Sequence, residues 1–261
     1  MNTLGVRESM LVVESDGAAL LAPRARPAAG GACPAVVLFQ DRMGVRDAMR
    51  AFARRLAAHG FDVVIPDLYH RHGALIGFGP HELAADPSSQ DRLNSYMAAL
   101  DDDGIQRDAD AVLEALAAAR SAENQDSGDP GDPLGRLGCV GFCLGARAVF
   151  RTMMRLPERF AAGAMWHPSF LVDDRPDSPH RSAAELSGSL YAGFGEDDNL
   201  MTVASMQPFI EALSALGERA AVDLLPGAGH GFTWPGAPNY NRAAAERAWT
   251  CTLALFDSAL R

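Results

Sequence analysis

The chain contains no lysine: all 23 of its basic residues are arginine, and they are outnumbered by 33 aspartates and glutamates. The absence of lysine excludes any mechanism that passes through a lysine Schiff base. The formal net charge of −10 argues against nucleic-acid binding, because phosphate backbones are recognised through basic patches. The sequence therefore predicts no nucleic-acid partner.

Long apolar runs are also missing from the sequence. No apolar segment approaches the roughly 18 residues of a membrane-spanning helix, which predicts no membrane association. The segment from Met1 to Val13 is interrupted by Arg7, Glu8 and Ser9, so it lacks the apolar core of a signal peptide. We therefore expect a cytoplasmic protein.

Cysteine is scarce, and the four that occur are Cys33, Cys139, Cys143 and Cys251. In an intracellular enzyme, cysteines are typically free thiols rather than disulfides. Cys139 and Cys143 have no histidine beside them at the spacing of zinc ligands. The sequence therefore predicts free thiols and no metal site at these cysteines.

Short β-rich runs alternate with helical patterns through most of the sequence. The predicted strands are Ala35 to Phe39, Asp62 to Pro66, Leu137 to Phe142, Ala161 to Trp166, Leu190 to Gly195 and Ala221 to Leu225. The predicted helices lie near Met49 to Leu56, Ile105 to Ala119, Ala146 to Met154 and Arg242 to Leu260, the last packing on the sheet edge. This alternation predicts one α/β domain over residues 1–261, with a mostly parallel sheet and helices on both faces.

Three stretches interrupt the alternation. The segments Ser121 to Gly135 and Val172 to Gly188 are rich in loop-forming residues and are interpreted as surface loops inside the domain. The glycine-containing segment Tyr69 to Pro87 is either a mobile cover over a site or a plain surface loop. The sequence leaves these two alternatives open.

The strongest chemical signal is the segment Gly141–Gly145, which reads Gly-Phe-Cys-Leu-Gly and joins a predicted strand to a predicted helix. This is the pattern of a nucleophile elbow with Cys143 in place of serine. The glycines allow a sharp turn in which strand and helix approach closely, and the helix N-terminus favours a thiolate or an oxyanion. The alternative is a buried structural cysteine between two turn glycines.

An acid and a histidine follow the next strands. Asp197 lies in the run Gly195–Asp198 after one strand, and His230 lies between two glycines after the next. Nucleophile, acid and histidine thus occur in the chain order of α/β-hydrolases, each at the carboxyl end of a strand. We predict Cys143, Asp197 and His230 as a catalytic triad, with Asp198 as the rival to Asp197.

At these motifs the sequence resembles the dienelactone hydrolase (carboxymethylenebutenolidase) family, over most of the chain from about Ala35 to the C-terminus. The resemblance rests on segments Phe39–Val45, Pro66–Tyr69, Gly141–Gly145 and Gly229–Phe232. It implies an α/β-hydrolase fold, no metal or organic cofactor, and a Cys-His-Asp triad that acts on a lactone or ester carbonyl.

The same resemblance implies roles outside the triad. The backbone N–H groups of Leu144 and Arg42 would form the oxyanion hole, which stabilises charge in the tetrahedral intermediate. Asp41 stands where the family has a glutamate that contacts the thiol and regulates its ionisation. Asp41 is one methylene shorter, so the sequence leaves open whether its carboxylate still reaches Cys143 and couples substrate binding to activation of the thiol.

Substrate-binding residues are also implied. Arg92 and Tyr96 match family positions that bind the substrate carboxylate, and they share a face if that segment is helical; otherwise they are a solvated arginine and a half-buried tyrosine. Trp234 replaces a second carboxylate-binding arginine. Together with Met43 and Phe232, Trp234 predicts a pocket more apolar than a dicarboxylate needs.

The function predicted from the sequence is hydrolysis of a small ester or lactone through a thioester intermediate, without a cofactor. The partner expected is the small-molecule substrate alone, for a monomer or small homo-oligomer. Two alternatives remain, namely a small-molecule binding module that retains the fold without hydrolysis, and a redox-sensing thiol at Cys143.

Overall fold

The computed structural model describes residues 5–123 and 132–261. The chain divides into two compact units, the first ending at Leu137 and the second running from Gly138 to Arg261. The middle of the predicted loop Ser121 to Gly135, namely residues 124–131, lies outside the described residues, as do residues 1–4.

The first unit is built on four strands. They are β1 (Val6–Ser15), β2 (Ala18–Pro27), β3 (Ala35–Phe39) and β4 (Asp62–Val64), in the spatial order β1-β2-β4-β3. The first two form an antiparallel hairpin, β2 pairs antiparallel with β4, and β3 pairs parallel with β4. All five residues of β3 are buried, which fits the uninterrupted apolar run of its sequence.

The helices of the first unit are α1 (Asp47–Ala58), α2 (Pro80–Ala85), α3 (Pro87–Ala98) and α4 (Asp102–Glu123). In α1 the predicted apolar stripe, including Met49, Phe52 and Leu56, is buried. The segment Tyr69 to Pro87, interpreted as a loop, contains a short 3-10 turn at His70–His72 and the helix α2. That prediction missed local helical structure, although proline at the first position of α2 is typical of a helix start.

The second unit carries β5 (Leu137–Phe142, whose first residue ends the first unit), β6 (Phe160–Trp166), β7 (Ser189–Gly195) and β8 (Ala220–Leu225). Their order is β5-β6-β7-β8, and β7 pairs parallel with both β6 and β8. The helices are α5 (Leu144–Arg155), α6 (Val203–Ser214) and α7 (Arg242–Leu260). The predicted α/β class with a mostly parallel sheet is confirmed.

Helix α7 packs mainly on β6 and β7, and its Arg247 also pairs with Asp223 of the edge strand β8 at 2.8 Å. A buried hydrogen bond of 3.0 Å from the indole Nε1 of Trp166 to the hydroxyl of Thr252 joins α7 to β6. The prediction that this helix packs on the sheet edge describes only its contact with β8, because its buried aromatic and small residues cover the interior strands β6 and β7. Over the described residues, no helix is long and apolar enough to cross a membrane.

Candidate active site

Cys143 occupies the sharp turn between β5 and α5. Its backbone has φ 54° and ψ −116°, a conformation that residues with a Cβ rarely adopt. A Cβ on Gly141 would lie 2.2 Å from the carbonyl oxygen of Gly145, so only glycine permits this approach of strand and helix. The geometry is that of a nucleophile elbow, with Leu144 as the first residue of the helix that follows.

The main chain of Cys143 is fixed by hydrogen bonds. Its N–H donates to the carbonyl of Trp166 at 3.1 Å, and its own carbonyl accepts from Ala146 and Ser169 at 3.1 Å each. Only 5% of the residue is exposed. The backbone that carries the thiol is therefore fixed, and Cys143 is buried at the carboxyl end of β5.

His230 lies beyond the carboxyl end of β8 and reaches the thiol. Its Nε2 is 3.3 Å from Cys143 Sγ, and its Nδ1 is 2.7 Å from Asp198 Oδ2. A Cβ on Gly195 would lie 2.2 Å from the carbonyl of Ala228, so glycine at this position lets the two loops after β7 and β8 approach. The imidazole therefore bridges a carboxylate and a thiol.

The acid bonded to His230 is Asp198, and the prediction of Asp197 for this position is corrected. Both residues follow β7, but the turn closed by the hydrogen bond from Asp198 N to Gly195 O buries Asp198 and leaves Asp197 exposed. Asp198 Oδ1 accepts from the N–H groups of Leu200 and Met201 at 2.9 and 2.8 Å. These two bonds aim the remaining oxygen at the histidine.

The surroundings of His230 favour its protonated form. Burial opposes the imidazolium, but the hydrogen bonds to Asp198 and Cys143 and their negative charges outweigh it, so the pKa of His230 rises to about 10. The imidazolium carries its positive charge 3.3 Å from Cys143 Sγ. The arrangement supports a thiolate–imidazolium pair that can act as nucleophile and proton carrier.

Two further residues of this site were missed by the sequence reasoning. Ser169 Oγ lies 3.4 Å from Cys143 Sγ, and the ring of His167 packs edge-on against that of His230 at 5.1 Å between centroids. Both are buried and follow β6 directly. The rule that strand ends carry function would have pointed to them, because β6 was correctly predicted to end at Trp166.

The turn that contains Asp41 and Arg42 lies in the first unit. Asp41 is buried; its Oδ1 accepts from Met43 N at 2.9 Å and its Oδ2 pairs with the guanidinium of Arg46. The carbonyl of Arg42 accepts from the hydroxyl of Tyr69 at 2.7 Å. These contacts give the turn one fixed conformation, as a backbone donor of an oxyanion hole requires.

Arg92 and Tyr96 lie on the same helix, α3, as the sequence analysis required for a shared face. The Arg92 side chain is 57% exposed, 3.3 Å from Glu82, and lies over the ring of Phe78. Tyr96 stacks on His72 with 4.2 Å between ring centroids. Both side chains therefore already have partners within their own unit.

The aromatic residues predicted to line the pocket are largely buried. Phe232 is fully buried and packs against His167 and Trp166, while Trp234 is 6% exposed and lies 4.7 Å from the ring of Phe142 in the elbow. In the first unit Met43 packs, partly buried, against an apolar cluster of Tyr69, Phe78 and Leu93. Aromatic rings thus pack against residues that neighbour Cys143 and His230.

Comparisons with known proteins agree on one family. The family model described as "Dienelactone hydrolase family" matches residues 19–260. An Escherichia coli K12 protein, provisionally named carboxymethylenebutenolidase, is 29% identical over 94% of this chain and 84% of its own length. A Bradyrhizobium protein, provisionally named 2-oxo-3-(5-oxofuran-2-ylidene)propanoate lactonase, is 25% identical over 92% of this chain and 90% of its own.

Solved structures of similar fold include a provisionally named dienelactone hydrolase from Klebsiella pneumoniae. It has a TM-score of 0.75 with 24% sequence identity, covering 97% of this chain and 99% of the other. A dienelactone hydrolase from Anabaena variabilis gives a TM-score of 0.61 at 18% identity, with 98% and 99% covered. At these identities the likeness establishes the fold.

Proposed function

Because the chain is a hydrolase belonging to the dienelactone hydrolase family, we propose that it cleaves a small ester or lactone through the thiol of Cys143. His230 is the proton carrier in this proposal, and Asp198 holds the imidazole in its orientation. The observation that carries the proposal is the unbroken connection from Asp198 Oδ2 to His230 Nδ1 at 2.7 Å and from His230 Nε2 to Cys143 Sγ at 3.3 Å.

In the first half of the reaction the thiolate sulfur attacks the carbonyl carbon and the carbonyl π electrons move to oxygen. The oxyanion would accept hydrogen bonds from the backbone N–H groups of Leu144 and Arg42. When the tetrahedral intermediate collapses, the carbon–oxygen bond to the alcohol breaks, and the imidazolium of His230 gives its proton to the departing oxygen. The products of this half are the alcohol and a thioester on Cys143.

In the second half, water hydrolyses the thioester. The now neutral His230 takes a proton from the water as its oxygen attacks, and the carbon–sulfur bond then breaks to release the carboxylic acid and the thiolate. If the substrate is a lactone, acid and alcohol leave as one molecule. Asp198 remains charged throughout and stabilises each imidazolium form.

Within the first unit the carboxylate of Asp41 is paired with the guanidinium of Arg46, whose positive charge offsets much of its field. We propose that control of the thiol falls mainly to His230, whose Nε2 lies 3.3 Å from Sγ.

We propose that neutral esters and lactones are better substrates than dicarboxylate-like lactones. Arg92, the implied carboxylate contact, is exposed and paired with Glu82. By the family resemblance, Trp234 stands where a second carboxylate-binding arginine is expected. Turnover of a neutral short-chain aryl ester, compared with that of an anionic dienelactone, tests this preference. A strong preference for the anion would refute it.

The assignment of Cys143 is tested with p-nitrophenyl esters and intact-mass detection of an acyl adduct. Cys143→Ala should lower kcat/KM by on the order of 10⁴ or more and form no adduct, because covalent chemistry is lost. Cys33→Ala is the matched control, since Cys33 is another free thiol of this chain, and it should keep both turnover and adduct. Wild-type turnover by Cys143→Ala would end the proposal.

A further inference from the structure

The loop after β6 contacts both the main chain and the thiol of Cys143. Ser169 donates its backbone N–H to the carbonyl of Cys143 at 3.1 Å, and its hydroxyl lies 3.4 Å from Sγ. We propose that Ser169 is a positioning residue, whose hydroxyl donates to the thiolate and stabilises it in the orientation for attack. This inference rests on the proposed role of Cys143 and adds a second donor to its sulfur.

Burial makes this hydrogen bond consequential. Ser169 is 1% exposed and Cys143 is 5% exposed, so bulk water has little access to replace the hydroxyl. A hydrogen bond to a charged acceptor is roughly twice as strong as one between neutral groups, and low local polarity strengthens it further. Removing the hydroxyl should therefore destabilise the thiolate more than the neutral thiol.

The loop that carries Ser169 is held in one conformation. His167 and Phe170, on either side of it, have φ of 41° and 60°, in the left-handed region that residues other than glycine seldom enter. His167 N donates to Gly193 O at 2.9 Å, and the guanidinium of Arg147 donates to Phe170 O at 2.7 Å. A backbone kept in a costly conformation by several bonds is typical of functional sites.

The two donors to Sγ differ in what happens to their protons. The proton on His230 Nε2 leaves with the alcohol in the proposed mechanism, whereas the hydroxyl proton of Ser169 stays on its oxygen. Ser169 can therefore support the sulfur before attack and again when the sulfur is the leaving group of the thioester. The expected consequence of losing it is a higher pH for thiol ionisation and a lower kcat, with little change in KM.

The test measures the rate at which iodoacetamide alkylates Cys143 as a function of pH, with the modified cysteine assigned by peptide mass spectrometry. In Ser169→Ala the pH at which alkylation reaches half its maximal rate should rise by about one unit, because a charge-assisted hydrogen bond to the thiolate is lost. Ser178→Ala is the matched control: Ser178 is also buried in this unit, but its hydroxyl bonds Asp173 N and His180. Its profile should equal that of the wild type.

A second pair of variants keeps the test open if the alanine variant does not fold. Ser169→Thr and Ser169→Val have side chains of the same shape and differ in the hydroxyl alone. The threonine profile should resemble the wild type and the valine profile should be shifted. Equal profiles for the two, or a wild-type profile for Ser169→Ala, would overturn the inference.

Alkylation needs no substrate, so this inference and the proposed function fail in different ways. A shifted alkylation profile without any ester or lactone turnover would leave the role of Ser169 standing and remove the hydrolase proposal. Turnover that depends on Cys143, combined with an unshifted profile in Ser169→Ala, would leave the hydrolase proposal standing and remove the role of Ser169.

Discussion

Among the described residues, each unit contains an aspartate–histidine pair with a buried carboxylate, and a residue with a hydroxyl or thiol side chain lies beside each pair. In the first unit Asp108 is the centre of the cluster. Its Oδ1 accepts from the hydroxyl of Ser15 at 2.6 Å and lies 3.1 Å from His70 Nε2, and both its oxygens accept from Arg71. The serine and the histidine thus share one carboxylate oxygen.

In the second unit the histidine is the centre. His230 has Asp198 on one ring nitrogen and Cys143 on the other, so it can exchange a proton with the thiol while the carboxylate holds the ring. In the first cluster the acid is in the middle, and over the part of the chain that the structure describes no hydroxyl or thiol bonds the other ring nitrogen of the histidine, whereas in the second the histidine lies between acid and thiol. Besides the exchange of serine for cysteine, the order of connection separates the structural cluster from the proposed proton relay.

The largest expected effects come from replacing each of the two histidines, His230 and His70, with asparagine. His230→Asn should lower kcat/KM by on the order of 10⁵ or more, because the proton carrier is lost. His70→Asn should keep kcat/KM but lower the free energy of unfolding by about 1–3 kcal/mol, since a buried network loses a member. Ester kinetics and urea unfolding measure the two; a large loss of activity in folded His70→Asn would contradict the structural assignment.

The next largest effect is expected from Asp198, and its neighbour Asp197 provides the comparison. Asp198→Asn should lower kcat by on the order of 10³–10⁴, because the amide no longer holds the imidazole in the right tautomer or stabilises its charge. Asp197→Asn is the matched control one residue away, exposed in the structure, and should keep wild-type kcat. The reverse result would restore the assignment drawn from sequence.

A smaller effect is expected in the pH dependence of stability. The pKa of His230 is raised to about 10, so its contribution is fully present below the unfolded value of 6.5 and is lost as pH rises through about 10. Between neutral pH and that value, the free energy of unfolding should fall more in the wild type than in His230→Asn. Urea unfolding over this range measures it, and equal slopes would show that the raised pKa is not linked to folding.

Fully buried strands were the most predictable part of the fold. The ends of β3 and β5 agree with prediction because each is an apolar run without interruption. The hairpin of β1 and β2 was missed, since most of β1 is exposed and its sequence does not alternate cleanly. Helix α6 was not bounded in advance either, and Pro208 inside it obscures the helical pattern.

The family resemblance is confirmed, and the elbow and His230 were found because glycines mark both turns. The choice between Asp197 and Asp198 was beyond the sequence, because the conformation of the turn after β7 determines which of the two carboxylates is buried. Ser169 was overlooked for a different reason: a serine after a strand has many ordinary uses, and only its distance to Sγ distinguishes it. Sequence located the strand ends, while geometry selected the side chains.

The backbone of Cys143, with φ 54°, has a consequence for how variants of this protein are chosen. A conformation of this kind costs on the order of 1–3 kcal/mol for a residue with a Cβ and almost nothing for glycine. A library ranked by melting temperature alone would therefore place glycine at position 143 above the native cysteine. Selection for thermal stability would favour glycine at position 143, whereas selection for the proposed catalysis would favour cysteine.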